Sequence, residues 1–196
     1  ATEKILQHRC TPNDQPVAHD ALRRVAFGNR GNREFTSNDV RKQLTSQADR
    51  ALWSRLEDEK QGVPLVKTLA TSVDGFFFGS PTHYQFRHLS FQEGLCAQML
   101  MSDAMSTWLS SSEQLRELLL HGLNIVRIIG DPILLRLPAV LDLSSSESSK
   151  DELGDEAMGV LGDVLLRSAE SCRLGALKCD KFELRDDATV LDLYNK

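Results

Sequence analysis

The sequence predicts a mainly α-helical protein that carries one small β-hairpin and ends in a short mixed α/β tail. Three observations predict this. Apolar residues recur at helical spacing through most of residues 17–140. Two neighbouring stretches, Val73–Gly79 and Thr82–His88, read as strands joined by a turn at Gly79, Ser80 and Pro81. After residue 140 the pattern changes to LDL runs, a serine-rich loop and one further helical face.

Composition bounds the classes. With 196 residues, 41% hydrophobic and 26% charged, the chain suits one large or two small globular domains able to bury a substantial core. A formal net charge of −5 argues against nucleic acid as the main partner, which favours a basic surface. No apolar run approaches the length of a membrane-spanning helix, and no signal-peptide pattern opens the chain. Cys10, Cys96, Cys172 and Cys179 form no CxxC pair and read as reduced, buried thiols in a cytosolic setting. A start at Ala1 and a close in mid-pattern lead us to expect a piece of a longer polypeptide.

Residues 1–12 carry little signal. Asn13 or Asp14 is the expected cap of a helix with Pro16 in its first turn and Ala18, Ala21, Leu22 and Val25 on its inner face. The turn residues of Gly28–Arg33 break it. Thr36 or Ser37 then caps one helix that runs through Val40, Leu44, Ala48, Ala51, Leu52 and Leu56 to about Lys60. Gly62 and Pro64 punctuate, and a short helix through Leu65, Val66 and Leu69 precedes the hairpin. In the second strand Tyr84, Phe86 and His88 alternate with Gln85, Arg87 and Leu89. The period then switches, and Leu89, Phe91, Leu95, Cys96 and Met99 share a helical face. Ser90 with Glu93 three residues on spells a capping box, and this helix runs to near Trp108. His88 therefore stands where a strand turns into a helix. Three helices, a hairpin and a long helix make the winged-helix plan, with the hairpin as the wing.

Ser110–Ser112 opens a further helix through Leu115, Leu118, Leu119, Gly122, Leu123, Val126 and Ile129, closed by Gly130, Asp131 and Pro132. Ile133, Leu134, Leu137 and Val140 suggest a short helix kinked at Pro138. In the tail, Leu153, Ala157, Leu161, Val164 and Leu165 form one helical face. Leu174, Leu177, Cys179 and Phe182 fit a leucine-rich-repeat template loosely, and Ala188, Leu191 and Leu193 fit it again. The domains expected are residues 1–110, 111–140 and 141–196.

Phe86, His88, Leu89, Ser90, Phe91, Gln92, Glu93 and Ala97 follow in order the motif F-x-H-L-S-F-Q-E-x-x-A-A. This resembles the end of the winged-helix domain in NACHT-type STAND NTPases, the NOD-like receptor class. Cys96 replaces the small residue before Ala97, and Gly94 replaces the aromatic usual after the Glu. Residues 22–40, LRRVAFGNRGNREFTSNDV, resemble the opening of the same domain, so the likeness covers roughly residues 17–110. The resemblance implies a winged helix, then a second helical domain, then the mouth of a leucine-rich-repeat array. It implies that His88 reaches the phosphates of ADP or ATP bound by an upstream P-loop domain of the same polypeptide and helps hold a closed resting state. It also implies a cytoplasmic signalling protein that assembles into an oligomer on activation.

The chemistry of that role is sound. An imidazole N–H can donate to a phosphate oxygen, and protonation adds charge to the bond. The plain alternative is a buried histidine satisfied by a backbone carbonyl. Gln92 and Glu93 read as helix surface and cap, not as an acid–base pair. His83 and His88 point to opposite strand faces, Cys172 and Cys179 lack a second pair, and His8 with Cys10 supplies only two ligands, so no metal set is expected. Arg23, Arg24, Arg30, Arg33, Arg41 and Lys42 make residues 23–42 basic. They read as a solvated face, the alternative being the DNA-binding face of a winged-helix transcription regulator. No G-x-x-x-x-G-K-[ST] occurs. The chain alone is therefore not expected to be an enzyme, although a longer parent carrying a P-loop would be a slow NTPase.

Overall fold

The computed structural model describes residues 2–56, 66–69, 81–105, 108–137, 140–144, 153–167, 176–179 and 182–185. The chain folds as two compact units, Ala1–Met99 and Leu100–Lys196. Among the described residues each is mainly helical and holds one three-stranded sheet.

The first unit runs α1 (Thr2–Arg9), α2 (Gln15–Gly28), β1 (Glu34–Thr36), α3 (Ser37–Gln43), α4 (Gln47–Leu56), β2 (Val66–Leu69), β3 (His83–Phe86) and α5 (Leu89–Leu100). Helix α2 begins where its sequence places it. Asp14 stands at the N-cap position in helical backbone and makes no side-chain capping bond, and Pro16 lies in the first turn, where no intrahelical N–H is lost. Ala18, Ala21, Leu22, Val25 and Ala26 form the buried face.

The single helix expected between Thr36 and Lys60 is instead two. Thr36 and Asp39 close a reciprocal capping box: the Asp39 amide donates to Thr36 Oγ1 at 3.3 Å and the Thr36 amide to Asp39 Oδ2 at 3.0 Å. At Ser46 the cap recurs, with the Asp49 amide donating to Ser46 Oγ at 3.0 Å. Two cap signatures ten residues apart offer the backbone local bonds that compete with one continuous helix.

Glu34–Thr36, to which the sequence assigned no strand, forms β1. Val66–Leu69, expected as helix, is strand β2. Its apolar spacing fits either period, and pairing with β3 decides between them. The antiparallel order is β1-β3-β2, with Phe35 and Thr68 both opposite Tyr84. The expected strand Val73–Gly79 lies outside the described residues.

β3 is the central strand, paired on both edges, and the burial of successive residues Tyr84, Gln85 and Phe86 shows that both its faces are covered, so the predicted alternation is absent. Phe35, Trp53, Tyr84 and Phe86 pack into one aromatic core with ring centroids from 5.5 to 6.3 Å apart. Helix α5 begins at Leu89, so Ser90 lies inside the first turn rather than at the cap. It ends at Leu100, short of Trp108, and 3-10 turns follow over Asp103–Met105 and Trp108–Ser110.

The second unit holds α6 (Ser112–His121), α7 (Leu123–Ile129), a 3-10 stretch (Asp131–Arg136), β4 (Val140–Asp142), α8 (Asp155–Arg167), β5 (Ala176–Cys179) and β6 (Phe182–Arg185). Ser111 caps α6 by accepting from the Gln114 amide at 3.3 Å, as its sequence spells it. The one helix expected over residues 115–129 breaks at Gly122. Gly130 ends α7 at φ 62°, a backbone state that side chains with a Cβ rarely take. Ala157, Leu161, Val164 and Leu165 are buried on α8, with Leu153 just ahead of it.

Strand β4 pairs parallel with β5 across α8, and β6 returns antiparallel to β5. The residues of the first loose repeat are thereby split, with Leu177 and Cys179 in β5 and Phe182 opening β6. The second copy, Ala188, Leu191 and Leu193, lies outside the described residues, as does Pro138. Segments 111–140 and 141–196 share this unit, because α8 packs on α7 and on the 3-10 stretch. No helix among the described residues is long and apolar enough to cross a membrane.

Candidate functional site

The site is set by how β3 hands the chain to α5. Phe86, the last residue of β3, is buried in the aromatic core and pairs with Val66 of β2. A strand held on both edges fixes the point from which the chain departs. Arg87 and His88 then form an exposed bend, and α5 starts at the next residue.

The His88 carbonyl accepts the Phe91 amide at 3.1 Å, which makes His88 the residue that starts the helix. Its imidazole lies edge-on to the Phe91 ring, with centroids 5.2 Å apart and planes at 80°. Among the described residues no group bonds to the ring nitrogens. The side chain is thus oriented by a neighbour yet open to a ligand. The alternative of a buried histidine bonded to a carbonyl does not hold.

Gln92, expected on the helix surface, is the least expected residue of the site. It is 2% exposed, and its Nε2 donates to the carbonyls of Asn29 at 2.8 Å and Asn32 at 3.0 Å. Asn29 is itself buried and donates Nδ2 to the Val25 carbonyl at 2.8 Å. The loop after α2 is therefore stapled to the first turn of α5. His19 and Gln98 add a second tie between the same helices at 2.8 Å.

The buried residues of α5 are Gln92, Leu95, Cys96, Ala97, Met99 and Leu100, and Leu89 points outward, 45% exposed. The signal was present in the sequence, since 92, 95, 96 and 99 follow the helical repeat. An amide at the head of that row looked polar enough to be outside.

Burial pushes the Cys96 thiol up to about 12; Arg30 pulls against that shift and Glu93 adds to it. The thiol is protonated and inert as a nucleophile near neutral pH. Cys10 is only half-buried, against the expectation, and burial and Asp14 raise its pKa. The side chains of Cys172 and Cys179 lie outside the described residues.

The basic run of residues 23–42 largely dissolves into pairs. Arg23 and Arg24 meet Asp20 at 3.1 and 2.8 Å, Arg24 also meets Asp49 at 3.0 Å, and Lys42 meets Asp39 at 2.9 Å. Arg30 stacks over the Phe27 ring at 4.6 Å. Comparison with family models, curated proteins and solved structures returned no match.

Proposed function

We propose that this chain is a regulatory and interaction module of a NACHT-like, nucleotide-dependent sensor in the cytoplasm. In this reading the first unit is a winged helix. His88 forms part of a lid over ADP or ATP held by a P-loop domain elsewhere in the same polypeptide. The second unit is the helical domain that leads into a ligand-sensing leucine-rich-repeat array.

One observation carries the reading: an exposed, oriented imidazole at the junction of a central strand and a helix, with no bond to its ring nitrogens among the described residues. The connectivity helix, strand, helix, helix, strand, strand with order β1-β3-β2 supports the winged helix. The strand–helix–strand unit of β4, α8 and β5 is parallel, as a repeat array requires, whereas β6 stands outside such a ladder. A nucleotide bound at this junction would bias the position of the winged helix, which is a ligand-shifted two-state equilibrium.

The test is His88→Ala in a polypeptide that carries both this chain and the P-loop domain. Losing one charge-assisted bond to a phosphate should weaken ADP retention about tenfold or more and raise basal oligomerisation. Nucleotide content of the purified protein measures it, and unchanged ADP occupancy would overturn the reading.

A second reading, a DNA-binding winged helix, has one observation in its favour: Arg41 on α3 and Arg50 on α4 line a common cleft. A salt-dependent gel shift separates the two readings, and we expect no binding above the non-specific level from a chain of net charge −5.

A further inference from the structure

Helices α3 and α4 and strand β3 border a half-open cleft of about 470 Å³ whose lining does not include His88. That volume falls within the range of small-molecule sites, ~300–1,000 Å³. Val40, Trp53 and Tyr84 form its apolar wall, and Ser37, Arg41, Arg50 and Ser54 bring polar groups to it.

The charge here is one-sided. The acidic residues of α3 and α4 are Asp39 and Asp49, and both are engaged elsewhere. Asp39 accepts from Thr36 and Lys42, and Asp49 is paired with Arg24 at 3.0 Å. Among the described residues Arg50 commits only its Nε, to the Leu44 carbonyl at 2.9 Å. Arg41 meets no carboxylate among the described residues.

A further polar group stands unanswered. Trp53 is 4% exposed, and its indole N–H is buried with no acceptor among the described residues. A buried donor left without a partner is costly, and such groups are rare in folded proteins unless a ligand or water serves them. Ser54 Oγ already donates to the Arg50 carbonyl at 3.2 Å, so the donors left at the cleft are the two guanidinium groups and the Ser37 hydroxyl, with the Trp53 indole N–H buried behind its wall.

We propose that this cleft binds a small organic phosphate monoester, with Arg41 and Arg50 on the phosphate and the organic group against Val40, Trp53 and Tyr84. Guanidinium forks match phosphate oxygens in geometry and charge. The concave shape favours a small ligand over a nucleic-acid backbone, which needs a continuous basic track. The ion pairs of Arg23, Arg24 and Lys42 interrupt any such track here.

The proposal is independent of the nucleotide-lid reading, and so is its test. Phenyl phosphate is titrated into the whole chain while the indole N–H resonances are followed by NMR, with Trp108→Phe used to assign the Trp53 signal. We expect a saturable shift of the Trp53 resonance, and inorganic phosphate should bind more weakly because it leaves the apolar wall untouched. Phenol, which lacks the phosphate, should give no saturable shift.

Arg41→Ala, a change at an exposed position, should weaken phenyl phosphate binding about tenfold or more, and Arg41→Lys by less. The proposal is overturned by any of four results: no saturable shift, equal affinity of phenyl phosphate for the wild type and Arg41→Ala, equal affinity for inorganic phosphate, or displacement by a short DNA duplex at lower concentration than phenyl phosphate itself.

Discussion

Gln92 shows how one side chain joins segments that are distant in sequence. Its two bonds reach carbonyls 63 and 60 residues earlier in the chain. Those carbonyls belong to a turn outside any sheet or helix ladder; Asn29's also takes the Asn32 amide at 2.8 Å, and the carboxamide bridges the two. Its own Oε1 is buried without a partner among the described residues, so the staple is asymmetric. Gln92→Ala removes both bonds and leaves a cavity, and it should cost about 2–3 kcal/mol, read as a lower urea midpoint of the first unit's transition. Gln92→Met keeps the volume and drops the unpaired oxygen, so it should cost less. If Met proves as damaging as Ala, the hydrogen bonds alone hold the staple. Of the motif residues, His88 was correctly read as the junction, whereas Gln92 was misread. Amides are usually exposed, and only the loop carbonyls reveal why this one is not.

Helix starts in this chain are written locally. Thr36 with Asp39, Ser46 with Asp49, and Ser111 ahead of Gln114 each supply a side-chain oxygen to an orphan amide. Thr36→Ala should cost about 1 kcal/mol, measured by thermal unfolding of the first unit. The same box predicts an acid dependence. Bonds from Lys42 and then from Thr36 hold the Asp39 carboxyl down at about 2, against an ordinary 3.8. Because the folded value is depressed, the contribution is complete above about pH 4 and is lost as the pH falls through about 2. Solvent screening keeps it small. Thr36→Ala should therefore also shallow the loss of stability in that window, and an unchanged acid limb would show that Lys42 and the backbone amide of residue 36 hold the carboxyl without the hydroxyl.

The two units present separate reporters. Cys96 sits in the core of the first, protonated and shielded, so iodoacetamide should leave it unmodified in the native chain near neutral pH. Labelling followed by mass spectrometry should rise with denaturant along the same curve as the first unit's unfolding. Reaction in the native chain at the rate of an unfolded peptide would mean that α5 is not packed as described. Much of this architecture was legible beforehand: the start of α2, the cap of α6, the stop at Gly130, the inner face of α8 and the strand-to-helix corner at His88, though not its exposure. These rest on caps, turn residues and apolar spacing, which act over a few neighbouring residues and so stand open in the chain's own order. Strand β1, the strand rather than helix at Val66–Leu69, the burial of both faces of β3 and the staple at Gln92 needed the folded chain. Each of these depends on a partner brought from far along the sequence, and a partner's position is a property of packing, not of spelling.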